Sequence, residues 1–278
     1  MKVIGIDIGG TRIKGGIFED HKLLRKTSVA TNAIGRDQII ASLENCIDSL
    51  MEKDVGRIGV ISAGDCDPVN GVVLRALNLK GWNNVPVKAI LEEHYHIPVD
   101  FDNDAIGALI GEASLYPDLH DVTLLTFGTG VGGASLIDGK ISRNPDHAWG
   151  HYCLIPNGLD CPCGKKGCAE RYLSATAVQE QATAAFQRRM NTIELFRLYK
   201  HGNPKAKAVL TLFGERLDLF LSDIEQEIAP QLILLGGGLM TDEGVVSSLL
   251  KFDPSKYAFA KLKNDAGITG AALLGEKK

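Results

Sequence analysis

The chain carries no excess of basic residues: 30 Lys and Arg stand against 34 Asp and Glu, a formal net charge of −4 over 278 residues. Such a balance offers no positive field for a phosphodiester backbone, so nucleic acid is not expected as a partner. Long apolar runs are also missing. The uncharged stretch Val122–Ile137 is broken by glycines at 128, 130, 132 and 133, so no membrane span is expected. The N-terminus meets an acid at Asp7, too early for the apolar core of a secretory leader. Cysteine is scarce, six in all. Together with the missing leader this reads as a cytoplasmic protein with reduced thiols rather than a disulfide framework. No low-complexity linker divides the chain, which suggests interleaved domains rather than separate beads. The phosphate-binding pattern G-x-x-x-x-G-K-[ST] is absent as well, since Gly139-Lys140 is followed by Ile141 and Gly164-Lys165 by Lys166.

Glycine, by contrast, is abundant, 31 residues where about 7% would be ordinary. It clusters at Gly9-Gly10, Gly15-Gly16, Gly128/Gly130/Gly132/Gly133 and Gly236-Gly237-Gly238. A glycine cluster directly after an apolar strand lets backbone N–H groups approach an anion, because no Cβ intervenes; a tight hairpin explains any one cluster equally well. Three such clusters, each after a β-rich run, point to a phosphate or nucleotide.

Apolar periodicity predicts strands over Val3–Asp7, Arg12–Phe18, Leu23–Thr31, Arg57–Ser62, Ile97–Phe101, Val122–Phe127, Gly133–Ile137 and Gln231–Leu235. Helical spacing marks Asp37–Glu52, Val85–Tyr95, a helix starting at Asn103–Asp104, Ala175–Met190, Thr192–His201, Lys205–Ile228 and a small-residue helix Gly267–Leu274. Alternating strands and helices imply an α/β protein. Val3–Asp20 and Val122–Gly139 align without gaps as strand, glycine turn, strand, which predicts a duplicated fold with a hairpin turn from each half offered to one ligand.

Gly128-Thr129-Gly130-Val131-Gly132-Gly133 matches G-x-G-x-x-G in its letters, but a strand rather than a helix follows, and Cys153 stands where a dinucleotide fold needs an acid. In Asp7-Ile8-Gly9-Gly10-Thr11, Asp7 is expected to hold hydrated Mg²⁺ while the turn faces phosphates, with Lys14 adding charge neutralisation or lying solvated at the surface. His151 with Cys161, Cys163 and Cys168 supplies a Cys₃His donor set for a closed, structural Zn²⁺. Cys153 is a competing ligand, and Cys46 and Cys66 read as small buried residues. A zinc-ribbon nucleic-acid module fits poorly, because the charge is negative and no aromatics interleave near Cys161–Cys168. In Asp100-Phe101-Asp102-Asn103-Asp104 one residue caps a helix, and an Asp beside an Asn can orient and deprotonate a sugar hydroxyl. Asn78-Leu79-Lys80-Gly81-Trp82 offers an amide for hydroxyls, with Trp82 as an aromatic wall or as core.

Asp7–Thr11, Asn78–Trp82, Asn103-Asp104-Ala105, Gly128–Gly133, Gly150-His151 and the run Cys161–Glu170 follow one another in an order that resembles the ROK family of repressors, open reading frames and sugar kinases, over nearly the whole chain. The resemblance implies an α/β, actin-like (ribonuclease H-like, duplicated) two-lobed fold with a central cleft. The lobes are expected at 1–104 plus 265–278 and at 105–264. It implies ATP- and Mg²⁺-dependent phosphorylation of a hexose or N-acetylhexosamine, usually at the 6-hydroxyl. Asp104 falls on the catalytic base, and Asn78, Asn103, His151 and Glu170 on sugar-contacting positions. His151, Cys161, Cys163 and Cys168 fall on the zinc ligands. Asp7, Gly9, Gly10, Thr11, Gly128, Thr129 and Gly130 fall on the phosphate loops, and Gly236, Gly237 and Gly238 on the adenosine side. A homodimer is implied too. The family's repressors carry an extra N-terminal DNA-binding domain, which is not expected here because the first strand starts at residue 3. Two departures stand out. Ala148 replaces the Glu of the usual Glu-x-Gly-His, removing a charge-assisted bond to the sugar worth about 1.5–3 kcal/mol. That shifts the expectation away from plain glucose toward an N-acetylhexosamine or another sugar; His147 beside it reads as a stand-in or an exposed loop residue. Gly64-Asp65 replaces the usual Gly-Pro. The alternative function is a sugar-binding sensor of the same fold with little kinase activity.

Overall fold

The structure, a computed structural model, describes residues 1–76 and 79–276. The chain forms two compact units, Met1–Pro117 joined by the segment from Asn264, and Asp118–Lys263. The first unit begins with the strands β1 (Lys2–Ile8), β2 (Arg12–Glu19) and β3 (Lys22–Ala30), followed by α1 (Arg36–Asp48) and β4 (Val55–Ser62). A small antiparallel pair, β5 (Asp65–Asp67) and β6 (Val72–Arg75), precedes α2 (Val87–Tyr95), β7 (Val99–Asn103) and α3 (Asp104–Ala113). The second unit contains β8 (Val122–Phe127), β9 (Val131–Ile137), β10 (Lys140–Ile141), α4 (Glu170–Leu173), α5 (Ala175–Phe186), α6 (Thr192–Lys200), α7 (Pro204–Ile228), β11 (Leu232–Gly236), α8 (Glu243–Leu249) and β12 (Tyr257–Phe259). The chain then returns to the first unit with α9 (Ala266–Leu273).

Each unit is built on a five-stranded sheet of the same design, in the orders β3-β2-β1-β4-β7 and β10-β9-β8-β11-β12. In both, a central strand pairs antiparallel with the strand after the glycine turn and parallel with the strand on its other side. The gapless alignment survives at both ends of the turn, with Ile8 and Arg12 matching Phe127 and Val131. This is the duplicated topology expected from the sequence.

Alternation along β1 divides the first unit into two layers. Ile4, Ile6 and Ile8 pack with Ile39, Leu43 and Ile47 of α1, whereas Gly5 and Asp7 lie on the face covered by α9. Backbone meets backbone on that face: a Cβ on Gly59 would sit 1.7 Å from the Ala271 carbonyl, and one on Gly270 would sit 1.6 Å from the Gly107 carbonyl of α3. These glycines let α9 lie directly on the sheet and on α3. For the same reason the first unit ends after Pro117 rather than at residue 104: α3 is packed along α9 and stays with the first sheet. In the second unit α7, opened by an Asn203 cap and Pro204, buries Leu210, Phe213, Leu217, Phe220 and Ile224 against Leu125, Phe127, Ile233 and Leu235.

Several boundaries move for local reasons. The helix expected to run to Met190 stops at Phe186, where Gln187 turns left-handed (φ 55°). The helix expected from Val85 starts at Val87, because Val85 pairs with Val73. The short elements β5, β6, β10, β12, α4 and α8 carry no periodic signal of their own. No helix among the described residues is long and apolar enough to cross a membrane.

Candidate active site

In the first unit, β1 and β2 end in a turn tied to Thr31, a fully buried residue whose Oγ1 donates to the Gly9 carbonyl at 2.7 Å and whose N–H donates to the Thr11 carbonyl at 3.0 Å. Gly9 N donates back to the Arg12 carbonyl at 3.1 Å, while Gly10 and Thr11 are exposed. Asp7 faces Lys14 across the β1–β2 ladder, with Nζ 3.5 Å from Oδ2. Lys14 is therefore neither fully solvated nor remote from the turn: it neutralises the one acid at its base. Burial pushes the Asp7 carboxyl up, against the opposing pull of Lys14. Gly267, in the first turn of α9, lies against Asp7, a contact that no motif marked. A Cβ there would sit 2.9 Å from Asp7 Oδ2, so any side chain would crowd the carboxylate.

Asp104 opens α3 and Asn103 caps it, accepting from Ala105 N at 2.8 Å. The other end of the Asn103 amide donates to the Gly64 carbonyl at 2.8 Å. The residue expected to contact sugar thus also ties α3 to the Gly64-Asp65 loop. Burial, and then the negative charge of Asp7, raise the Asp104 carboxyl to about 6, despite the bond it accepts from Ala105 N. Cys66 is half-buried at the edge of the first unit's apolar core rather than fully enclosed in it. Burial and the carboxylates of Asp104, Asp102 and Asp65 push its thiol up to about 12. Trp82 is core, not wall: it is fully buried and donates Nε1–H to Ser62 Oγ at 3.1 Å. Asn78 lies outside the described residues.

In the second unit, the turn Gly128–Gly130 is closed by Gly128 N donating to the Gly130 carbonyl at 2.9 Å. Glu170 lies beside it. Its Oε2 accepts from Val131 N at 3.0 Å, and a Cβ on Gly130 would sit 2.2 Å from that oxygen. The residue expected at the sugar therefore touches the Gly128–Gly130 turn. Gly237, with φ 91°, follows β11 so closely that a Cβ would strike the Phe127 backbone. Gly238 lines a cavity of about 290 Å³ with Ile193, Phe196, Arg197, Lys200 and Asp242. Those α6 residues were missed because an amphipathic helix gives no sign of what it faces.

His151, Cys161, Cys163 and Cys168 converge, with one donor atom from each within 4.8 Å of all the others. Cys163 Sγ and Cys168 Sγ are 3.6 Å apart, and Cys161 Sγ is 3.8 Å from His151 Nδ1. A tetrahedron with Zn–S bonds of about 2.3 Å requires edges of about this length, so the donor set fits zinc. Cys153 stays outside, its Sγ directed at the Lys166 carbonyl. His147 is buried, not exposed. It stacks on Trp149 at 5.1 Å, shares a 2.6 Å hydrogen bond with Ser142 Oγ, and sets Nε2 3.8 Å from Glu227. It is engaged in the interior and does not replace the carboxylate missing at Ala148, which is exposed.

Two sheets of one design, each with a glycine turn at the end of its first hairpin, define an actin-like fold. The ROK family model matches residues 3–278, and the chain belongs to that family. Among curated relatives, N-acetylmannosamine kinase of Haemophilus influenzae is 27% identical over 287 residues, covering 98% of this chain and 94% of the relative. Of solved structures, the ROK hexokinase of Thermus thermophilus is 32% identical with a TM-score of 0.87, covering 99% and 97%. A ROK glucokinase of Streptomyces griseus, in complex with glucose and AMPPNP, is 26% identical with a TM-score of 0.80, covering 99% of both chains.

Proposed function

We propose that this protein is an ATP-dependent sugar kinase that phosphorylates a hexose or N-acetylhexosamine at its 6-hydroxyl, with Asp104 as general base. The observation that carries the reading is the Asp104 carboxyl at the start of α3, held near 6 by burial and by Asp7, the acid of the glycine turn. A base with that affinity is ionised at neutral pH yet still takes a proton readily. The hydroxyl proton passes to Asp104, the alcohol oxygen attacks the γ-phosphorus, and the bond to the β-phosphate oxygen breaks, releasing ADP. Positioning and charge neutralisation supply most of the acceleration. Asp7 would hold Mg²⁺, which neutralises phosphate charge when bound. The turns 9–11 and 128–130, with Lys14, would cradle the phosphates, and Gly236–Gly238 with the α6 cavity would take the adenosine. Asn78, Asn103, His151 and Glu170 would bind the sugar.

The Cys₃His cluster would hold a structural Zn²⁺ that pins the loop carrying His151. With Ala148 in place of a carboxylate, the reading favours an N-acetylhexosamine over glucose. Relatives of both kinds occur, an N-acetylmannosamine kinase and a glucokinase with glucose bound, and their names support the hexose class as a whole. Resemblance to the family further supports a cytoplasmic homodimer. ADP release measured with Mg·ATP over a panel of hexoses and N-acetylhexosamines tests the proposal. Saturable sugar binding without ADP release from any sugar would replace it with a sensor.

A further inference from the structure

The start of α5 reaches back to the Gly128–Gly130 turn at two points. Ala175 N donates to the Gly128 carbonyl at 2.8 Å, and Thr176 Oγ1 donates to the Thr129 carbonyl at 2.8 Å. Ser174 caps the same helix by accepting from Ala177 N at 3.1 Å. A first-turn N–H of α5, which has no partner within the helix, is thus satisfied by the turn. The consequence for the turn is geometric. In a trans peptide the C=O and the following N–H point in opposite directions, and no peptide here is cis. Drawing the Gly128 and Thr129 carbonyls toward α5 therefore directs the Thr129 and Gly130 N–H groups away from it. Successive N–H groups turned to one side form an anion-binding concavity.

We propose that Thr176 is a positioning residue for the phosphate donor: its hydroxyl fixes the peptide plane that presents the Gly130 N–H to a nucleotide phosphate. The inference rests on the nucleotide reading of the turn given above. Thr176 follows closely on Cys168 and Glu170, so the segment leaving the cysteine loop mounts the phosphate turn. Glu170, at Val131 N, and Thr176, at the Thr129 carbonyl, hold its two sides.

The test is the dissociation constant of Mg·AMP-PNP, by calorimetry, for wild-type protein, Thr176→Val, Thr176→Ser and Thr183→Val. Thr183 lies further along α5, where its hydroxyl accepts from Met190 N at 3.2 Å, so its loss reports on the helix but not on the turn. Thr176→Val is expected to bind the nucleotide about three- to tenfold more weakly, as for one lost hydrogen bond. Thr176→Ser is expected to restore binding, and Thr183→Val to lower the unfolding temperature while leaving nucleotide binding unchanged. In turnover, the KM for ATP should rise in Thr176→Val while the KM for the best sugar of the panel holds. Unchanged nucleotide binding in Thr176→Val, or equal weakening in Thr183→Val, overturns the proposal and leaves the kinase reading standing. No binding by wild-type protein overturns both.

Discussion

Replacing Asp104 with Asn should slow turnover severely and at the same time stabilise the protein at neutral pH. The Asp104 carboxyl rises from an ordinary 3.8 to about 6 in the folded chain, so folding at neutral pH must hold an anion where burial and Asp7 oppose it. A rise of that size corresponds to about 3 kcal/mol at full strength. Partial solvent access at Asp104 lowers the useful figure to about 2 kcal/mol. Because the folded-state value lies above the unfolded one, the penalty is complete above pH 6. It fades as pH falls through 6 toward 3.8 and is gone only below that, where both states are protonated. Asn is neutral throughout and can still accept from Ala105 N. Thermal unfolding of wild type and Asp104→Asn, without Mg²⁺ or nucleotide, should therefore show the variant melting higher by about 4 °C or more at pH 7.5. That gap should shrink to about a third by pH 4.5, while kcat drops about 10²–10⁴-fold. A gap that is absent at pH 7.5, or that does not shrink with acid, would refute the assignment of a disfavoured charge to this carboxyl. Near-normal turnover would remove it from the chemistry.

Gly270→Ala should cost about 3 kcal/mol or more, read as a lower denaturation midpoint, because its Cβ would meet the Gly107 carbonyl and backbone cannot swing aside. Cys161→Ser should reduce the zinc found by metal analysis from about one equivalent toward zero and speed proteolysis of the segment 151–170. Ala148→Glu should raise kcat/KM for glucose relative to N-acetylmannosamine by about tenfold or more, as a restored charge-assisted bond would.

The architecture was legible because duplication leaves a repeated strand–glycine–strand pattern, and because β1 and β8 are short apolar runs that only a sheet accommodates. The two glycine turns and the convergence of the Cys₃His donors were legible for a related reason: each comes largely from residues close together along the chain. His147 was not. Its burial depends on Trp149, Ser142 and Glu227, the last supplied by α7, and no local pattern announces a residue that arrives from so far along the chain. The limit of the first unit failed in the same way. Nothing near residue 104 reveals that α9, from the far end of the sequence, packs along α3. The α6 wall beside Gly238 and the grip of Thr176 on Thr129 are also contacts between separate segments, and periodicity within one segment cannot contain them.

The late arrival of α9 bears on how a ribosome must deliver this protein. Residues 118–263 form one uninterrupted stretch and can close their core as they emerge. The earlier unit has to wait. Until residues 266–273 are translated, the side of its sheet bearing Gly5, Gly59 and Ile61 is covered only where α3 packs on Ile61, and Asp7 lacks the close neighbour that Gly267 provides. The surroundings of the Gly9–Thr11 turn, which is synthesised first, are thus among the last parts of the molecule to be completed.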